Sequence, residues 1–117
     1  PVVTKDELLQ LVQETRNVEA NDRIFDYVTT LAEATRTHPM VELGVSPRGA
    51  LALCRMAKAH AFLAGRDYAV PEDVAAVFPD VCAHRLILSA KARMMEEKAE
   101  NILAEILKSV DMPVLKA

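Results

Sequence analysis

Glycine is scarce in this 117-residue chain, which has three of them, no tryptophan and an aromatic share of only 4%. Alanine, leucine and glutamate are abundant instead, so the composition favours helices over sheets and predicts an all-α fold. The two cysteines, Cys54 and Cys82, stand alone in apolar helical contexts outside any Cys-x-x-Cys pair, and read as buried reduced thiols. No apolar run approaches the ~20 residues of a membrane span, and the N-terminus has no signal-peptide pattern, which makes the cytoplasm the default compartment. A net charge of -3 speaks against general nucleic-acid binding, although a local basic patch is compatible with it. The chain also lacks a Gly-x-x-x-x-Gly-Lys-Ser/Thr phosphate loop and a strand ending in paired acids for magnesium, so by itself it is not expected to hydrolyse nucleotide. His38, His60 and His84 are dispersed and form no metal-binding pattern.

About half of the residues are apolar and about a quarter charged, the balance of one soluble globular domain large enough for a modest core. Thr4 and Glu7 form a capping box ahead of a helix over Lys5 to Arg16. Asn21 or Asp22 caps a second helix, whose series Ile24, Tyr27, Val28, Leu31, Ala34, Thr35 has helical spacing and which Pro39 ends. A third helix runs from Pro47 to about Ala64, with Gly65 as its stop and a face of Ala50, Leu53, Cys54, Ala57 and Ala61 that lets neighbours approach closely. At 1.5 Å per residue it spans on the order of 27 Å and forms the centre of the bundle. A short fourth helix covers Glu72 to Val77 and stops before Pro79, which opens another short helix to about Ala83. The last helix runs from Lys91 to about Val110, with Ala92, Met95, Ala99, Ile102, Leu103, Ile106 and Val110 at helical spacing. The segment Met40 to Leu43 is extended and pairs with Arg85 to Leu88. Five or six helices with short connections make a compact helical bundle.

The stretch Gly44-Val45-Ser46-Pro47-Arg48 stands apart, placing a turn glycine, a capping serine and a first-position proline ahead of the long third helix. Arg48 therefore sits at the unfavourable end of the helix dipole, where an arginine needs a reason other than helix stability. An incoming anion is that reason, since a planar guanidinium fixed by a rigid backbone is suited to a phosphate. Ser46 has no base partner in the sequence and reads as a cap rather than a nucleophile. Arg55, Arg66 and His60 read as surface or boundary residues, and Asp73 as a capping and dipole residue of its helix.

These residues also carry a resemblance. Ala34-Thr35-Arg36, His38-Pro39, Leu43 through Arg48, Gly65-Arg66-Asp67-Tyr68, Val70-Pro71-Glu72-Asp73-Val74 and His84-Arg85-Leu86 resemble the C-terminal lid domain of MoxR-type AAA+ ATPases. The resemblance covers about Val18 to Leu88, and Val45 stands where the family usually has alanine. Residues 1–17 resemble the helix joining the ATPase core to its lid, and 18–117 the lid with its closing helix. Pro1 is accordingly read as a boundary within a longer chain. The resemblance implies that Arg48 is the second-sensor arginine, reaching the γ-phosphate of ATP bound in the core, and that Ser46, Pro47 and Arg48 together form the lid's part of the nucleotide-binding site. It also implies ATP and Mg2+ in the full-length protein, a hexameric ring of subunits, and a protein substrate that is remodelled or matured. Arg36, His38 and Arg85 match family positions as ties between segments, with Arg36 and Arg85 bracing Met40 to Val45. The competing expectation is a stand-alone helical adaptor that binds proteins through its apolar grooves. A helix-turn-helix DNA binder is disfavoured by the acidic balance.

Overall fold

The computed structural model describes residues 4–114. Helix α1 (Lys5–Arg16) begins at Thr4, whose hydroxyl accepts the Glu7 amide, and α2 (Asp22–Thr37) begins at Asn21, whose side chain accepts the Ile24 amide. Strand β1 (Val41–Leu43) leads into α3 (Pro47–Leu63), and α4 (Pro71–Cys82) continues as one 3-10 turn (Ala83–Arg85) into β2 (Ile87–Leu88). Two further helices, α5 (Ala90–Met94) and α6 (Ala99–Ser109), complete the chain. Strands β1 and β2 pair antiparallel, Val41 opposite Leu88 and Leu43 opposite Ile87, with one irregularity between them. The expected pairing of these two segments is present; Arg85 falls in the 3-10 turn rather than in the strand.

The core lies where α2, α3, α4 and α6 meet. Ile24, Val28 and Leu31 from α2 pack with Leu53, Ala57 and Ala61 of α3, Val74 and Phe78 of α4, and Ile102, Leu103 and Ile106 of α6. Ala57 and Ala61 are fully buried, and α3 packs most extensively against α4, as small side chains on that face allow. Helix α1 differs from the rest in having no buried residue, and its Leu8, Leu9, Leu11 and Val12 are exposed. The link between α1 and α2 is tied to the link between α3 and α4 by the Glu19 amide on the Asp67 carbonyl and the Ala69 amide on the Glu19 carbonyl. Among the described residues, no helix is long and apolar enough to cross a membrane.

Two helix boundaries depart from the sequence reading. The fourth helix does not stop at Val77 but runs straight through Pro79 to Cys82. A proline inside a helix costs on the order of 3 kcal/mol. Burying one large apolar side chain returns about 1.5–3 kcal/mol, and Phe78, Val81 and Cys82 are all buried on the face that continuation provides.

The last helix, by contrast, is not continuous from Lys91 to Val110 but breaks after Met94. Glu97 donates its amide to the Ala92 carbonyl and Glu96 to that of Arg93, a Schellman closure with Glu96 at φ 56°. The break leaves Met95 exposed and re-aims α6 so that Ile102, Leu103 and Ile106 reach the core. Of the two thiols, Cys82 is buried as expected, whereas Cys54 is only half-buried at the edge of the α3 face. Burial pushes both up, Cys82 to about 11.

Candidate functional site

The start of α3 is held by its neighbours rather than by its own chain. Thr35, buried in the last turns of α2, donates its hydroxyl to the Ala32 carbonyl and accepts the Val45 amide at 2.9 Å. Arg36 donates Nε to the Val45 carbonyl at 2.9 Å, so both polar groups of this fully buried residue are satisfied by α2. Gly44 makes the approach possible. A Cβ there would lie 2.7 Å from the Arg36 amide nitrogen and 2.8 Å from the Thr35 hydroxyl oxygen. Its φ is not positive, so the glycine serves close packing rather than the turn expected of it.

From this clamp the helix begins as the sequence predicts. The Ser46 hydroxyl accepts the Gly49 amide at 3.2 Å and Pro47 occupies the first turn. Gly49 is buried, since a Cβ on it would meet Val45 Cγ1 at 2.8 Å and Arg85 Cδ at 3.3 Å. Arg48 lies between these fixed points with its side chain exposed. Among the described residues, no salt bridge engages it. A free guanidinium at the positive end of a 17-residue helix forms a locally positive point in a chain of net charge -3. Such a point can bind an anion but cannot by itself cleave one.

The other predicted residues separate by how fully they are engaged. Arg36, besides its bond to Val45, pairs with Glu33 at 3.1 Å. His38 caps α2, its Nδ1 accepting the Met40 amide at 3.0 Å, with Nε2 3.5 Å from Glu105. The brace expected from Arg85 to Met40–Val45 is not made by hydrogen bonding among the described residues; Arg85 instead donates Nε to the Val81 carbonyl and lays its stem against Gly49. Arg55 is exposed beside Arg16 and Lys58.

At the opposite end of α3 lies a cluster that reading the sequence missed. Asp73 is fully buried, and Arg66 grips it with two bonds of 2.6 and 2.8 Å. The Val70 amide donates to the same carboxylate at 2.7 Å, and His60 Nδ1 lies 2.6 Å from it. Burial alone would push the Asp73 carboxyl up, but the hydrogen bonds from Arg66, Val70 and His60 outweigh it and hold it down at about 2. Asp73 is thus a cap, as expected, and Arg66 is no simple surface charge. The sole available signal was the spacing of Arg66 and Asp73 across a short turn.

The model of the AAA lid domain family matches residues 33–106, well over half of the chain. An uncharacterized Bacillus subtilis protein, YeaC, is 40% identical over the whole chain, which covers 37% of YeaC. Chaperone MoxR1 of Mycobacterium tuberculosis is 32% identical over 99% of this chain and 33% of its own length. A crystal structure from Cytophaga hutchinsonii, of a protein whose name designates it an ATPase, superposes with a TM-score of 0.88 at 31% identity over 94% of this chain and 36% of that one. The chain therefore spans about a third of the length of the relatives it matches. With its helical architecture and small two-stranded sheet, the chain belongs to the AAA lid domain family and is the lid region of a MoxR-type AAA+ protein.

Proposed function

We propose that this lid supplies Arg48 as the second-sensor arginine to the γ-phosphate of ATP bound in an adjoining ATPase core, and that it couples hydrolysis to lid rotation. The observation that supports this reading is the contrast at the start of α3. The backbone on either side of Arg48 is fixed by Thr35, Arg36 and Ser46, while the guanidinium itself is exposed and unpaired among the described residues. An arginine so placed is preorganised for charge that develops on a transferring phosphoryl group, where a fixed donor lowers the barrier without further reorganisation.

ATP is the nucleotide and Mg2+ its companion. The exposed guanidinium suits the phosphate. Mg2+ would be held by the adjoining core. Residues 1–17 join the core to the lid, which accounts for the exposed apolar side chains of α1. The assembled protein is a hexameric cytoplasmic ring that remodels or matures a protein partner; a relative of this chain bears the name chaperone.

The reading is tested by replacing Arg48 with alanine in the full-length protein. Steady-state ATP hydrolysis is expected to fall by about 100-fold or more while the ring stays assembled. Near-normal turnover in an intact ring would remove Arg48 from the mechanism.

A further inference from the structure

Three arginines border the start of α3, Arg36 bonded to Val45, Arg48 in the first turn and Arg85 with its stem against Gly49, and they differ in how much of their charge is already used. Arg36 is occupied by Glu33 and the Val45 carbonyl. Arg48 has no ion-pair partner among the described residues. Arg85 is intermediate. Its Nε donates to the Val81 carbonyl at 3.0 Å, but the side chain is exposed, and no carboxylate among the described residues pairs with its two terminal nitrogens. Its Cδ lies 3.3 Å from where a Gly49 Cβ would be, so its stem lies against the residue that follows Arg48.

Gly49 is what admits it. Any side chain there would collide with Val45 and press on the Arg85 stem, and so would displace the arginine from the helix start. The Val81 bond engages Nε alone. A multiply charged anion at the helix start would find donors on both guanidiniums that no carboxylate among the described residues occupies.

We infer that Arg85 is a second phosphate-binding arginine of the Arg48 site, so that the lid contacts the terminal phosphate of a nucleoside triphosphate with two guanidiniums. This rests on the reading of Arg48 given above. Its consequence is selectivity: a nucleoside diphosphate, lacking the terminal group, loses both contacts. An arginine present only to tie Val81 to α3 would be replaceable by any long stem carrying a donor.

The test is equilibrium binding of ATPγS and ADP to full-length Arg85→Lys and Arg48→Ala, beside the melting temperature of the 117-residue Arg85→Lys chain. Lysine keeps the stem and one charge but loses the planar fork. ATPγS affinity of Arg85→Lys is expected to fall about tenfold, with ADP affinity changed less than twofold and melting unchanged. Equal losses for both nucleotides, or no loss for either, would overturn the role of Arg85. If Arg48→Ala shifts the ATPγS to ADP ratio and Arg85→Lys does not, only this inference fails. If neither variant shifts the ratio, the reading of Arg48 fails with it.

Discussion

An arginine stands at each end of helix α3, in very different company. Beyond its C-terminus, Arg66, the Val70 amide and His60 all converge on one buried carboxylate, Asp73, so the charge placed in the interior is met on the spot. At its N-terminus the backbone is satisfied just as fully, by Thr35, Arg36 and Ser46, but the Arg48 guanidinium is left exposed. Both ends are rigid, and only one is electrostatically complete. A complete cluster stabilises the fold, whereas an incomplete one on a rigid frame is available to something that is not yet bound. The prominence of an arginine in a sequence motif does not distinguish the two cases, since Arg66 and Arg48 both lie in motif-like stretches; burial of the opposite charge does.

The contrast can be broken or sharpened by experiment. Arg66→Ala strands a buried carboxylate, and urea unfolding of this variant should register a loss on the order of 3–5 kcal/mol, equivalent to a fall in Tm of more than ~10 °C. A loss no larger than that of a surface substitution would mean that the two arginines do not differ in kind. Gly44→Ala probes the frame at the other end. With backbone atoms 2.7 and 2.8 Å from the new Cβ, the α2–β1 approach must open, at a cost of roughly 1–3 kcal/mol in the same measurement. An unchanged stability would show that the clamp on Val45 is loose.

Acid titration probes the Asp73 end. The folded Asp73 carboxyl lies at about 2, below its ordinary value of 3.8, so its contribution is fully present above the ordinary value and is lost as pH falls through the folded one. Stability should therefore decline between about pH 4 and pH 2 by on the order of 2 kcal/mol, and Asp73→Asn should abolish that part of the profile. An identical acid profile in Asp73→Asn would assign the decline to other carboxyls. The smallest effect is expected from Arg48→Ala, which should leave the stability of the chain within ~0.5 kcal/mol because the side chain forms no salt bridge among the described residues.

Much of this architecture was legible in the residues. Thr4, Asn21 and Ser46 each cap the helix they precede, and Gly65, at φ 83°, closes α3 with the Arg66 amide on Ala61 and its own amide on Phe62. The same closure ends α5, but there Glu96 takes the left-handed position, and no sequence rule expects glutamate in it. One motif was therefore readable and its twin was not, the difference being a single residue type. Pro79 misled in the opposite direction, because its local cost is visible in the sequence whereas the burial of Phe78, Val81 and Cys82 that outweighs it depends on where α3 lies. The capped start of α3 was readable because its elements are neighbours in sequence. The Arg66–Asp73–His60 cluster was not, since it needs α3 and α4 packed together before the carboxylate is buried.

Single-turnover ATP hydrolysis by full-length Arg48→Ala, with enzyme in saturating excess over ATP, tests most directly whether Arg48 acts in the chemistry rather than in stability. With binding no longer limiting and the ring assembled, phosphate release is expected to slow by about 100-fold or more while melting of the lid is unchanged. A single-turnover rate within a few-fold of the unaltered protein would contradict the account, and would leave Arg48 as an ordinary exposed charge at the start of a well-capped helix.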